Sequence, residues 1–225
     1  QETYLKDIIG RKHVKDGDTL SDLFGVLASC VGSGVSPSSL EKAFRARKSV
    51  SVSDDTIATY IHHFEDAFVV SIANKYNIKG RAYINTPFKV YFEDIGVRNA
   101  RTNFSQIEET HLMENIIYNE LIIRGYSVDV GVVEIIENAE GKKRRKQCEI
   151  DFVVNMGARR YYIQSALSVS DPDKMTTELR PLKNTKDFFK KIIISKSNAE
   201  PWIDEDGIVH IGLYDFLLNQ NSLEL

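Results

Sequence analysis

With 225 residues, 42% hydrophobic and 27% charged, the chain has ordinary globular usage and length for one large domain or two small ones. No run approaches the ~18 consecutive apolar residues of a membrane span, and Gln1 to Lys6 is neither a basic nor an apolar leader, so a soluble, non-exported protein is expected. Lys and Arg number 29 against 32 Asp and Glu, and the net charge of -3 excludes coating of nucleic acid by bulk charge, confining any phosphate contact to a local basic face.

From Tyr4 to about Asp66 the signals are helical. Leu20, Leu23, Phe24, Leu27 and Ala28 recur at helical spacing, and Gly32 to Gly34 stops that helix. Ser36-Pro37 opens a second helix, which runs to about Lys48 with Leu40, Ala43 and Phe44 on one face. Ser53-Asp54-Asp55-Thr56 supplies a cap and an acidic first turn for a third, presenting Ile57, Tyr60, Ile61 and Phe64 inward. An apolar run, Ala67 to Ala73, a turn at Asn77 to Gly80, and Arg81 to Ile84 then read as a hairpin. Helices closed by a hairpin are the winged helix-turn-helix pattern, predicted over residues 1–87.

Residues 88–225 form the second predicted domain, α/β in pattern. Phe88 to Asp94 alternates as a strand, and a long helix from about Ser105 to Arg124 ends at Gly125. Tyr126 to Ile136 and Gln147 to Asn155 are predicted as strands around a polar turn, Asn138 to Arg145. Tyr161 to Val169 is a further strand, Pro172 to Asn184 a helix, and Lys191 to Ser195 and Ile208 to Ile211 are strands before a short helix from Tyr214. The order αβββαβ implies a mixed sheet within an α+β or α/β chain.

The most informative segment is Glu149-Ile150-Asp151-Phe152-Val153-Val154, where an acid interrupts what should be a central strand. A buried aspartate there needs a compensating partner. On the next strand, the period of two places Gln164 and Ala166 on one face near Asp151. Glu114, in Leu112-Met113-Glu114-Asn115, offers a carboxylate on the long helix, with Glu120 as a second.

These segments resemble the restriction-endonuclease-like (PD-(D/E)xK) superfamily, which sets an acid on a helix, an Asp on a strand and Glu-x-Lys on the following strand. More narrowly, Lys89 to Asn99, Glu149 to Val153, Tyr162-Ile163-Gln164, Ser168 to Pro172 and Arg180-Pro181-Leu182 are similar, in order, to the C-terminal region of bacterial and archaeal AAA-type ATPases, as are the Tyr4 to Ile8 entry and the winged-helix stretch. The resemblance implies that Glu114 is the helix acid and Asp151 the strand acid, together holding Mg²⁺ or Mn²⁺. Gln164 then stands in place of the second strand acid and Ala166 in place of the lysine. An amide brings no charge and alanine polarises nothing, so a degenerate site that binds metal weakly is expected. The resemblance also implies an ATPase module preceding Gln1, which, not being Met, suggests a processed or excised chain. ATP would bind there only, because Gly141-Lys142-Lys143 lacks the Ser or Thr of a P-loop.

Each residue has a plainer reading. Asp151 satisfied by a cation, Glu114 solvated on its helix, and Lys142 to Lys146 as a solvated tip beside Glu137 and Glu140 are all ordinary. His62-His63 point about 100° apart on a helix and make a poor metal pair. Arg45, Arg47 and Lys48 fit a charged helix end. Cys30 and Cys148 lie in no metal or disulfide spacing, which suits a reducing cytoplasm. Three functions are therefore carried forward: a nucleic-acid-associated module binding DNA or RNA through a degenerate nuclease-like domain, an active metal-dependent endonuclease using Glu114, Asp151 and Gln164, and a protein-interaction or oligomerisation module.

Overall fold

The computed structural model describes residues 3–48, 52–105, 107–139, 142–167 and 172–225. The chain is mixed α+β and divides into two units, Gln1–Ala73 with Thr86–Glu108, and Asn74–Asn85 with Glu109–Leu225. Divisions fall at 73/74 and 85/86, the second of these, like the expected break at 87/88, inside one strand. Hydropathy marks that strand as one element but does not say which of its residues serve which core.

In the first unit, helices α1 (Thr3–Lys12), α2 (Gly17–Ser29), α3 (Pro37–Lys48) and α4 (Asp54–Asp66) precede strand β2 (Val70–Asn77). One more helix forms than the three anticipated, because Leu5 and Ile8, too few to weigh in the sequence, are buried against the same cluster. Leu20, Leu23, Phe24 and Leu27 of α2 are fully buried, and the Phe24 ring lies 5.2 Å from Phe64 and 5.3 Å from Phe92. Side-chain caps start the helices where the sequence placed acids and serines. Asp16 accepts from Thr19 N at 2.9 Å and Ser53 Oγ from Thr56 N at 3.2 Å. The two-residue strand β1 (Gly34–Val35) pairs antiparallel with Lys89 and Phe88 of β3 (Ala82–Phe92). Phe88 to Phe92, expected as a strand opening the second domain, is thus the end of the hairpin's own strand. A short helix α5 (Ile95–Arg101) follows, capped by Asp94 through Gly96 N at 2.6 Å and Val97 N at 3.2 Å.

The second unit is built on a mixed sheet. Lys75–Asn77 of β2 run parallel to β4 (Ser127–Ala139), β4 pairs antiparallel with β5 (Lys142–Met156), and β5 antiparallel with β6 (Arg159–Ala166). Strand β7 (Lys190–Ser195) is parallel to β6 and to β9 (Val209–Gly212), and β8 (Trp202–Ile203) closes the edge antiparallel to β9. Helix α6 (Glu109–Ile123) packs on β4 to β6, α7 (Pro172–Lys183) on β5 and β6, and α8 (Leu213–Leu218) on β9 and β7. Tyr118 of α6 meets Phe152, with ring centroids 6.4 Å apart, whereas the next residue, Val153, belongs to a cluster with Tyr162, Ile193 and Leu182 of α7. Strand alternation therefore puts the two helices on opposite faces of the sheet.

The polar stretch expected as a turn is largely strand. Lys146, Arg145 and Arg144 pair with Ile135, Ile136 and Glu137, so most of the basic run extends the β4–β5 ladder. Its charges are tolerated because the segment is exposed and Glu137 faces two cations, Lys146 at 3.3 Å and Arg180 at 2.6 Å. Among the described residues, no helix is long and apolar enough to cross a membrane.

Candidate functional site

A local irregularity creates the site. Gly131 pairs with Ile150 but Asp129 with Val153, so Asp151 and Phe152 both lie across from Val130 alone. This is a β-bulge, and bulges re-aim side chains and free backbone groups from the ladder. The freed Asp151 N–H donates to Gln164 Oε1 at 3.3 Å, and Asp151 Oδ2 accepts from Ser165 N at 2.9 Å. Gln164 Nε2 in turn donates to Glu178 Oε2 on α7 at 2.8 Å. Asp151, Gln164 and Glu178 thus form one hydrogen-bonded chain from β5 across β6 to α7. Asp151 and Gln164 are 9% and 8% exposed, while Glu178 is half-buried.

Burial, and then the negative charge of Asp151, push the Glu178 carboxyl above its usual range, although the Gln164 hydrogen bond works the other way. Glu178 was not among the residues expected at the site. Its signal lay in the pattern of α7, where Met175, Leu179 and Leu182 turn to the sheet and Glu178 falls on that same stripe.

Glu114 is 5% exposed on α6 and lies one turn before Tyr118, hence on the helix face directed at Phe152 of β5. Ala166 is 2% exposed inside the apolar cluster with Leu182 and Ile193. Ser165, next to it, is 5% exposed, and its Oγ has no hydrogen-bond partner among the described residues.

A divalent cation fits this donor set poorly. One Asp151 oxygen is already engaged, the Gln164 oxygen faces a backbone N–H, and the amide turns its donor end toward Glu178. No group of three or more His, Cys, Asp or Glu suited to a metal occurs among the described residues.

The remaining candidates resolve locally. His62 Nδ1 lies 2.9 Å from Glu65, Arg45 pairs with Glu41 one turn earlier at 2.5 Å, and Glu120 holds Arg124 at 2.8 Å. The side chains of Arg47, Lys48 and Lys142, and residues 168–171 and 140–141, lie outside the described set. His210, 4% exposed beneath a stacked Trp202 ring, reaches Asp204 at 3.1 Å. Desolvation opposes the Asp204 charge, but the bonds from His210 and from Ile208 N hold its carboxyl below the usual range and fasten the turn before β9.

A family model described as a domain of unknown function (DUF8612) matches residues 1–108, ending at the last residue of the first unit. The chain is 33% identical over 214 residues to an uncharacterized protein of Haemophilus influenzae, covering 95% of this chain and 49% of that protein. It is 22% identical to an uncharacterized protein of Methanocaldococcus jannaschii over 76% of this chain and 36% of the relative. It therefore spans about half or less of the length of these two relatives. Protein VC1899 from Vibrio cholerae aligns with 99% of the chain and 56% of its own at 14% identity, with a TM-score of 0.36.

Proposed function

We propose that this chain is a nucleic-acid-associated module in which a nuclease-like core, carried beside a winged-helix-like segment, has lost efficient cleavage. The observation that carries the reading is the Asp151–Gln164 pair at the β5 bulge with Ala166 buried beyond it. The order α6-β4-β5-β6-α7-β7 supports a restriction-endonuclease-like arrangement with Asp151 as strand acid, although Glu114 on the α6 face and Gln164 on the α7 face do not meet in one cleft, which adds to the departure from a working site. A carboxamide and a methyl group stand where a second carboxylate and a lysine would be needed to hold a metal ion and orient a nucleophile. On this reading, DNA or RNA is bound without turnover and Mg²⁺ or Mn²⁺ weakly. The setting is a reducing cytoplasm, in keeping with Cys30 and Cys148 standing far apart in sequence with no metal or disulfide spacing. An ATPase module in the longer protein would supply ATP-driven work, in keeping with the resemblance to AAA-type ATPases.

The test mixes the purified chain with plasmid, linear and single-stranded substrates in Mg²⁺ and Mn²⁺, alongside Asp151→Ala. Binding without appreciable cleavage is the expected result. Robust cleavage that vanishes in Asp151→Ala would replace this reading with an active endonuclease, and no binding to any substrate would replace it with a protein-interaction module.

A further inference from the structure

Two clefts flank the same pair of loops in the second unit: the β2–β3 turn and the segment joining α7 to β7. One, with a volume of about 260 Å³, is lined by Lys79, Arg145 and Lys186, with Glu134 as its carboxylate. The other, about 290 Å³, is lined by Tyr76, Arg81, Arg160 and Phe189. Lys79, Arg81, Arg145 and Lys186 make no side-chain ion pair among the described residues, unlike Lys75, Lys146, Arg159 and Lys183, each of which meets a carboxylate. Asp187, on the α7–β7 loop, makes no ion pair with them among the described residues; its carboxylate accepts from Tyr162 Oη at 2.7 Å and Phe189 N at 3.3 Å. Arg81 and Lys186 both stand at positive φ, 51° and 58°, a backbone region that non-glycine residues seldom occupy.

Aromatic rings sit among these cations. The Arg160 guanidinium lies 5.2 Å from the centre of the Tyr76 ring and 5.3 Å from that of Phe189, and its Nε is fixed by Asn155 Oδ1 at 2.7 Å. The Arg160 cation thus lies against two aromatic faces, a cationic aromatic platform. Phe188 beside it is fully exposed, and Tyr83, whose ring is 5.3 Å from Tyr76, is 60% exposed.

We infer that these loops form a binding groove for single-stranded nucleic acid, with Lys79, Arg81, Arg145 and Lys186 on the phosphates and the Tyr76–Arg160–Phe189 platform and Phe188 under the bases. Unpaired cations alone would suit any polyanion. Exposed rings at Phe188, Phe189 and Tyr83, next to these loops, favour a strand whose bases are free to stack, since a duplex keeps its π-faces inside. The groove deepens the function proposed above by naming its ligand class, and it is separate from Asp151.

The test is fluorescence anisotropy of the 225-residue chain with labelled oligo-dT and oligo-rU of about 20 nucleotides, and a duplex of equal length, over a salt series. Four phosphate contacts give a slope of log affinity against log salt near about -3 for a single strand. The double variant Lys79→Gln/Lys186→Gln should reduce that slope by about 1.4. Phe188→Ala should weaken binding roughly tenfold at unchanged slope, the mark of lost stacking rather than lost charge. All three substituted side chains are exposed, so folding is not at stake. Preference for dT or for rU identifies the strand as DNA or RNA, and either supports the groove. Equal or tighter binding of the duplex overturns it. Binding with slope and affinity unchanged in the variants overturns the groove alone, whereas no binding at all overturns the proposed function with it.

Discussion

Asp151 does two jobs that a sequence presents as one. Its carboxylate is the chemistry-bearing group, but its Oδ2 also satisfies the buried N–H of Ser165, beside a bulge that takes its own N–H out of the ladder. Asp151→Ala leaves that N–H without an acceptor and should cost about 1–3 kcal/mol in urea denaturation, while Asp151→Asn keeps an acceptor and should lose clearly less. Equal losses in the two variants would mean that the hydrogen bond contributes little. Glu178 gives the opposite kind of signature. An acid whose folded value is raised binds more protons folded than unfolded, so its contribution is full below the unfolded value and is lost as pH rises through the folded one. Denaturation midpoints of Glu178→Gln should therefore fall less steeply than those of the parent as pH rises from the ordinary value of 4.5, because the amide still accepts from Gln164 but does not ionise beside Asp151. Parallel pH profiles would remove Glu178 from the Asp151 neighbourhood.

At the scale of elements, the β5 bulge is held open by a glycine on its partner strand. A Cβ on Gly131 would stand 2.9 Å from Val153 Cγ2, 3.0 Å from Ile150 Cβ and 3.1 Å from Ile78 Cδ1, with two of these neighbours on β5 itself. Gly131→Ala should destabilise the protein by about 1–3 kcal/mol through overpacking, read as a lower urea midpoint at unchanged slope. An unchanged midpoint would show that β4 can shift away from the bulge at no cost. The helices were the easier elements to foresee. Period 3.6, a serine at Ser53 and acids at Asp54 and Asp55 mark α4 within a residue of its observed start. The basic run was harder, because Lys142 to Lys146 are poor strand formers in isolation and become strand only by pairing with Ile135 to Ala139.

For the whole molecule, the net charge of -3 opposes a polyanion, so any nucleic-acid affinity has to come from a local groove working against the long-range field. Added salt screens that groove, so affinity for a single strand should fall as ionic strength rises. The loss should be well advanced at ~0.15 M salt, where the screening length is about 8 Å. An affinity insensitive to salt would take phosphate contact out of the groove. The sequence by itself determined α2, α3 and α4 of the first unit, the succession of strands from β4 to β6, and the candidacy of Asp151 and Gln164, because periodicity, capping and an acid in an apolar run are local signals. Only the tertiary structure decided that the hairpin strands serve two cores, that a bulge turns Asp151 toward Gln164, that Glu178 completes the chain from another element, and that Lys79, Arg81, Arg145 and Lys186 gather around two loops. Each of these rests on contacts between residues far apart in sequence, and burial and charge pairing act through space.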